Sequence, residues 1–389
     1  MEATVGGIFR RHFDNYKECY PQPLHKLKAV KAIMSCRTAV LGGHVSRCPH
    51  GHVEEVHYNS CKHRSCPQCN SLPTERWLEK QKSRLLDCTH YHAIFTIPHY
   101  LIILWWCNQR LMADLLFRCA TDTLKELLLD PKYLGATVGI LTTLHTWGRD
   151  LRQHPHLHLL ITGGGWSPEG KWIAVTGDYL LPYQVVRKLF RGKYVAALRK
   201  AYEAGDLRLP PGLSEADFAS LMIKVGCRVK WNTHICKPYS HGIGVATYLA
   251  RYARGGPFRN TQIQHLDEER ILFRYTEHRT HRKKNKRLSI DEFQRRILWH
   301  IPEKRQHAIR YYGVYSGQKS WLRARCREQL GQLPEQKPES LDWKSFLERL
   351  GIQPATRCPI CEATLENAPL ERRQGAPPVV RTGRKYPIH

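Results

Sequence analysis

Apolar residues along this chain change period several times, and the changes mark out a middle region of mixed strands and helices. YHAIFTI (91–97) is rich in β-branched and aromatic residues and stops at Pro98, as a strand does. Residues 101–130 carry apolar positions at helical spacing and end before Pro131. VGILTTLHTW (138–147) and HLHLLIT (156–162) again read as strands. The short polar segment between them, GRDLRQHP, predicts an antiparallel hairpin, and Gly163, Gly164 and Gly165 are expected to end its second strand. Residues 183–205 form a basic amphipathic pattern, Pro210-Pro211-Gly212 breaks the chain, and a second helix is expected around 214–224. A helix over 244–254, a strand over 269–277 and a helix over 289–301 follow, the last opened by Ser289 as N-cap with Glu292 three residues on. Strands and helices interspersed around a central hairpin predict an α+β domain.

Composition divides the chain into three: residues 1–88, rich in Cys and His; 89–300, the mixed region; and 301–389, a basic, helical, Arg- and Pro-rich region ending in a polar tail. No apolar run approaches the ~18 residues of a membrane span, and the N-terminus lacks the apolar core of a secretion signal, so a bacterial-type cytoplasmic location is expected. Sixty-one Lys and Arg against 34 Asp and Glu leave a net charge of +27. Such a surface attracts a polyanion, most commonly nucleic acid; a ribosomal-type or merely basic protein and a membrane-surface binder are the blander alternatives. In a reducing compartment the 14 cysteines point to metal ligation rather than disulfides.

The densest cysteine pattern is Cys48-Pro-His-Gly-His52, then Cys61, then Cys66-Pro-Gln-Cys69. A Cys-x2-Cys turn offers two thiolates to one Zn²⁺, and an upstream pair completes the tetrahedron. Cys48 and His52 are the natural second pair; Cys61 competes, His50 and His63 are further candidates, and Cys36 and His44 leave room for a second ion. Cys358-Pro-Ile-Cys361 is half a zinc site, with Cys326 as its nearest other cysteine.

His154-Pro-His156-Leu-His158 puts three imidazoles at alternate positions, hence on one face of a strand, where two or three of them can hold a divalent ion. In a chain with 22 histidines such a triplet arises by chance less than about one time in ten. Tyr248 and Tyr252 stand one turn apart on the expected 244–254 helix, so both hydroxyls can reach one site, and a tyrosine can act as a nucleophile. Alone, the pair is better explained by a core aromatic stripe. Arg251 and Arg254 suit phosphate contact, and Lys283 and Lys284 lie in the basic run RTHRKKNKR (279–287), the best candidate for contact with a nucleic-acid backbone. No Gly-x4-Gly-Lys-Ser/Thr loop is present, so no nucleotide cofactor is expected.

In combination these segments are more specific. CPHGHVEEVHYNSCKHRSCPQC (48–69), LHTWGRDLRQHPHLHLLITGGG (144–165) and YLARYARGGPF (248–258), in that order, resemble the rolling-circle insertion-sequence transposases of the IS-ninety-one-like family, in the two-tyrosine branch of the HUH (His-hydrophobe-His) nucleases. The likeness covers most of residues 20–330. It implies a ferredoxin- or RRM-like antiparallel palm with flanking helices behind a small zinc-binding domain. It implies that His156 and His158 bind Mg²⁺ or Mn²⁺, with His145 as third ligand or His154 in its place. It implies that Tyr248 and Tyr252 nick single-stranded DNA at the element's ends and target through a 5′-phosphotyrosine, and that Cys48, His52, Cys61, Cys66 and Cys69 belong to the structural zinc module. One departure is visible: many relatives carry Cys-x2-Cys where this chain has Cys48-x3-His52. The competing expectations are a replication-initiator or relaxase-type nickase, a non-catalytic zinc-dependent DNA-binding regulator, and a metal-dependent hydrolase that activates water.

Overall fold

The computed structural model describes residues 3–253, 256–277, 280–338, 340–352 and 356–372, without the side chains of residues 248 and 251–253. The N-terminal region folds as α1 (Val5–Cys19), α2 (Leu24–Ser35), β1 (Gly43–Arg47), β2 (Glu54–Tyr58) and α3 (Ser71–Arg84). The middle of the chain follows as β3 (His90–Thr96), α4 (Ile102–Cys107), α5 (Gln109–Leu129), β4 (Thr137–Trp147), β5 (Gln153–Trp166), β6 (Trp172–Ala174), α6 (Tyr183–Glu203), α7 (Glu215–Ile223), β7 (Asn232–Ile235) and α8 (Ile243–Ala253). Then come β8 (Ile263–Leu266), β9 (Arg270–Thr276), β10 (Lys283–Ser289), α9 (Ile290–Trp299), β11 (Ile309–Gly313), α10 (Ser320–Gln329), α11 (Trp343–Arg349) and β12 (Glu366–Leu370). The architecture is α+β with antiparallel sheets, as the alternating patterns predict.

Two compact units share these elements. One gathers Met1–Arg76, Arg254–Ile301 and Glu339–His389, drawing on all three compositional regions; the other gathers Trp77–Ala253 and Pro302–Pro338. Among the described residues the first unit holds two three-stranded antiparallel sheets, β12-β1-β2 and β10-β9-β8. Thr4 opens α1 by accepting a hydrogen bond from the Gly7 amide, and Ser289 opens α9 by accepting one from Glu292, satisfying amides that a helix start leaves unpaired. Phe258, Phe273 and Phe293 pack edge to face beneath β9.

The second unit is built on a six-stranded antiparallel sheet in the order β11-β4-β5-β3-β7, with β6 paired to β5. Its two faces follow strand parity. Tyr91, Ala93 and Phe95 of β3, Ile140 and Leu144 of β4, and Leu157, Leu159 and Ile161 of β5 point into the large core with α5 and α6. The alternate positions point the other way, where Leu141 and Leu160 meet Val245, Ala246, Leu249 and Ala250 of α8 in a second core. Leu141 pairs with Leu160 across the hairpin, and two further steps along lie Thr143 opposite His158 and His145 opposite His156. The histidines therefore sit on the face that α8 covers, an arrangement set by the two-residue repeat of the strands.

Three expectations need correction. Gly163, Gly164 and Gly165 do not end β5; the strand runs through them to Trp166. They are glycines because neighbours crowd the sheet there: a Cβ on Gly164 would lie 2.6 Å from the Trp172 ring, and one on Gly165 would lie 2.8 Å from the Thr137 backbone. The helix expected over 101–130 breaks at Asn108, whose side-chain amide donates to Leu104 and Arg208 carbonyls, giving α4 and α5. The 301–389 region is not wholly helical either, since β11 extends the central sheet beside β4 and β12 pairs with β1. No helix among the described residues is long and apolar enough to cross a membrane.

Candidate functional site

On the α8-covered face, ring nitrogens of His145, His156 and His158 all lie within 4.8 Å of one another. The hairpin turn makes this possible. Gly148 donates to the Arg152 carbonyl, Leu151 takes a left-handed conformation at φ 65°, and the closed turn sets His145 directly opposite His156. His156 Nε2 and His158 Nε2 are 3.1 Å apart. The outer nitrogens are engaged elsewhere. His156 Nδ1 donates to the His154 carbonyl at 2.5 Å, and His158 Nδ1 lies 2.9 Å from His92 Nε2 on β3.

These contacts define the donor set. A carbonyl only accepts, so the His156 proton resides on Nδ1 and the Nε2 lone pair faces inward. Burial holds His158 far below the usual imidazole range, with His145, His156, His92 and His154 adding to the effect. Burial does the same to His145, reinforced by His156 and His92. Neutral rings aiming nitrogens at one point suit a cation: cis ligands of an octahedral ion at about 2.1 Å lie roughly 3.0 Å apart, close to the His156–His158 spacing. The second partners on the outer nitrogens of His156 and His158 are the kind of support that metal-binding imidazoles usually have.

His154, the alternative third ligand, shares the strand face and has its ring 4.9 Å from that of His156, but it is exposed and stands outside the converging triad. His92 was not singled out by motif. Burial brings it down to about 4, helped by His234. Parity would have found it, since His92 alternates with the core residues Tyr91 and Ala93 on a predicted strand. The backbone of α8 carries positions 248 and 252 one turn apart. The Tyr248, Arg251 and Tyr252 side chains, and Arg254, lie outside the described residues. Lys283 and Lys284 are exposed on β10, where Lys284 pairs with Glu277 at 2.5 Å.

Among the described residues the first unit contains two cysteine clusters, and they divide the expected zinc ligands differently. Cys61, Cys66 and Cys69 gather with Cys36; Cys48 and His52 gather instead with Cys358 and Cys361. The hairpin explains the separation. The 48–52 turn caps one end of β1 and β2, whereas Asn59 returns to Gly42 at the other end, beside Cys36 and Cys61. Five-residue strands put roughly 15 Å between the two ends. His44 is in neither group; its ring stacks on that of His57.

In the four-cysteine cluster, Cys61 and Cys69 sulfurs are 3.6 Å apart, near the roughly 3.8 Å expected for thiolates about 2.3 Å from a tetrahedral zinc. The Cys61–Cys69 loop is tied by Asn70, whose side-chain amide donates to the carbonyls of His63, Arg64 and Cys66. Hydrogen bonds from Cys61 and Cys66 lower the Cys36 thiol, while the three neighbouring thiols push Cys66 strongly up. Four thiols packed so closely cannot all ionise without a cation among them. At Cys48, burial pushes the thiol up, but amides of His52 and His50 and the Cys361 and Cys358 thiols outweigh it and bring it down to about 6.

Comparison with known proteins adds independent findings. A family model described as "Transposase zinc-binding domain" matches residues 8–97, and one described as "Putative transposase" matches residues 139–321. The chain is 33% identical to "Putative transposase y4qJ" of Sinorhizobium fredii over 367 residues, covering 92% of each chain. It is 32% identical to the "Transposase for insertion sequence element IS801" of Pseudomonas savastanoi pv. phaseolicola over 298 residues, covering 74% of this chain and 70% of the relative. No solved structure matches. The zinc-binding match and the four-cysteine cluster together identify the first unit's front end as a structural zinc module.

Proposed function

The chain belongs to the IS-ninety-one-like family of insertion-sequence transposases, and on that premise we propose that it cuts and rejoins single-stranded DNA by the two-tyrosine route. The observation that supports this most is the shared face: the imidazoles of His145, His156 and His158 converge on the side of the sheet against which α8, the helix of positions 248 and 252, packs. His145, His156 and His158 would hold a divalent ion, Mg²⁺ or Mn²⁺. Bound there, such an ion supplies polarisation of a phosphate oxygen and neutralises charge that develops on it. His92 is a positioning residue, fixing the ring of His158 through its Nδ1.

The tyrosines carry the covalent step. The phenolic oxygen of Tyr248 or Tyr252 attacks phosphorus, an O–P bond forms, and the P–O3′ bond breaks. The phenol gives up its proton and the departing 3′ oxygen takes one, leaving a 5′-phosphotyrosine and a free 3′-hydroxyl. The ester conserves the bond energy, so rejoining needs no nucleotide. The second tyrosine serves the other strand transfer. Arg251 and Arg254 contact phosphates beside the attacked bond, and Lys283 and Lys284 hold flanking backbone.

The test incubates the protein and Mn²⁺ with labelled single-stranded oligonucleotides that span the element's ends. A protein-linked product that survives denaturing electrophoresis is expected, and its loss in Tyr248→Phe/Tyr252→Phe. Normal cleavage by that double variant would remove the tyrosines from the reaction. His92→Ala is expected to raise the Mn²⁺ concentration for half-maximal cleavage by about 10–100-fold, with rate restored at saturating Mn²⁺, as for other outer-shell partners of a ligating histidine. A titration of rate against Mn²⁺ reads this; an unchanged midpoint would remove His92 from that role.

A further inference from the structure

Cys358 and Cys361 lie outside both segments that match the family models, which end at residue 321. In the fold they meet Cys48 and His52, and the four ligand atoms all lie within 4.8 Å of one another. Cys48 and Cys361 sulfurs are 3.5 Å apart, and His52 Nδ1 is 3.7 Å from the Cys48 sulfur and 3.9 Å from that of Cys358. Tetrahedral zinc with bonds of about 2.3 Å to sulfur and about 2.0 Å to nitrogen sets roughly 3.8 Å between sulfurs and roughly 3.5 Å from sulfur to nitrogen. A disulfide needs its sulfurs at about 2.05 Å, so these cysteines are not bridged.

The backbone supports the same reading. Each pair sits in a Cys-Pro turn closed in the same way: the Cys48 amide donates to the Val53 carbonyl and the Cys358 amide to the Ala363 carbonyl. Each turn passes through a left-handed residue, Gly51 in one and Glu362 in the other. Two such turns beside a three-stranded sheet are the layout of a zinc ribbon. The sheet itself is incomplete without the late segment, because β12 is its outer strand beside β1.

Beyond the ladder with β1 and a hydrogen bond from Ser46 Oγ to Asn367 Oδ1, the apolar packing on that segment among the described residues is small. The local apolar cluster consists of Cys48, Cys358 and Leu365, with Val53 and Cys361 partly buried beside them. Strand β12 reads ENAPL, mostly exposed and containing a proline, which is poor strand-forming sequence. One buried leucine does not offset the ordering of residues 356–370.

We propose that Cys48, His52, Cys358 and Cys361 bind a second structural zinc ion, which fastens the 356–370 segment to the β1–β2 hairpin. It is separate from the four-cysteine site and independent of the DNA chemistry proposed above. The first Cys-Pro turn thus takes its partners from the second rather than from Cys66 and Cys69. His50 Nδ1, 3.3 Å from the Cys361 sulfur, is the competing nitrogen, and the test separates it from His52.

The experiment titrates the full chain with an organomercurial and follows released zinc with a chromogenic chelator. This reagent frees only thiolate-bound metal, so any ion on the His145 cluster does not enter the count. About two zinc ions per chain are expected from the wild type, and about one from Cys358→Ser/Cys361→Ser and from His52→Ala. His50→Ala and the conservative His52→Cys should still release about two. One ion from the wild type overturns the proposal whatever the variants do. Two ions from Cys358→Ser/Cys361→Ser overturns it as well, and loss of one ion from His50→Ala with retention in His52→Ala overturns the ligand set.

Discussion

Replacing His156 and His158 together by alanine should lower single-strand cleavage by at least about 10³-fold, about 4 kcal/mol of barrier at about 1.4 kcal/mol per decade. Both rings contribute inward nitrogens to the same cluster, 3.1 Å apart, and the double change leaves His145 alone there. One neutral imidazole does not hold a hard divalent ion in place, whereas three converging on a buried point do. Alanine at both positions also opens a cavity on the α8-covered face of β5, so folding has to be read separately. Circular dichroism and the thermal midpoint provide that control, and mercurial-released zinc reports separately on the thiol clusters, which belong to the other unit. Cleavage lost with zinc retained supports a separate divalent site. Cleavage retained at the wild-type rate would end the assignment of these histidines.

Cys66→Ser should have the largest effect on stability. Cys66 is fully buried among Cys36, Cys61 and Cys69, and no other cysteine in the described residues lies within this group to replace it. Apparent zinc-binding free energies in small modules reach about 10–16 kcal/mol, as large as the whole stability of a typical domain at about 5–15 kcal/mol. Losing one of four thiolates therefore releases the ion and unfolds the segment it closes, from the end of α2 to the start of α3. The measurement is limited trypsin digestion alongside zinc release: new early cuts within residues 36–70 and one ion fewer than wild type are expected. A variant that keeps its zinc and resists trypsin like the wild type would show that the cluster does not hold the module together.

Local patterns carried much of this fold, and non-local pairing carried the rest. The hairpin of β4 and β5 was readable because two apolar strands flank a short polar turn, whereas the register that sets His145 opposite His156 depends on how that turn closes. The Ser289 cap and the α8 helix were readable for the same local reasons. Gly163–Gly165 misled because glycine signals both a strand end and a close approach of strands; crowding by Trp172 and Thr137 decides for the second, and it is invisible in the local sequence. Strands β11 and β12 are five residues each and find partners far along the chain, so no local period announces them. The cysteine clusters were legible as metal ligands, with room for a second ion, but their division was not, because a hairpin separates ligands adjacent in sequence and β12 brings in ligands from a distant segment. His92 was legible in principle, through strand parity, although no motif points to it.

Mass-spectrometric mapping of the cleaved complex tests the central claim most directly. Protein trapped on a single-stranded substrate is digested with nuclease and protease, and the peptide spanning residues 245–254 is sought. The account predicts that peptide with a nucleotide 5′-phosphate esterified to Tyr248 or Tyr252. Cleaved DNA with no nucleotide attached to protein, or a nucleotide attached elsewhere in the chain, would contradict it.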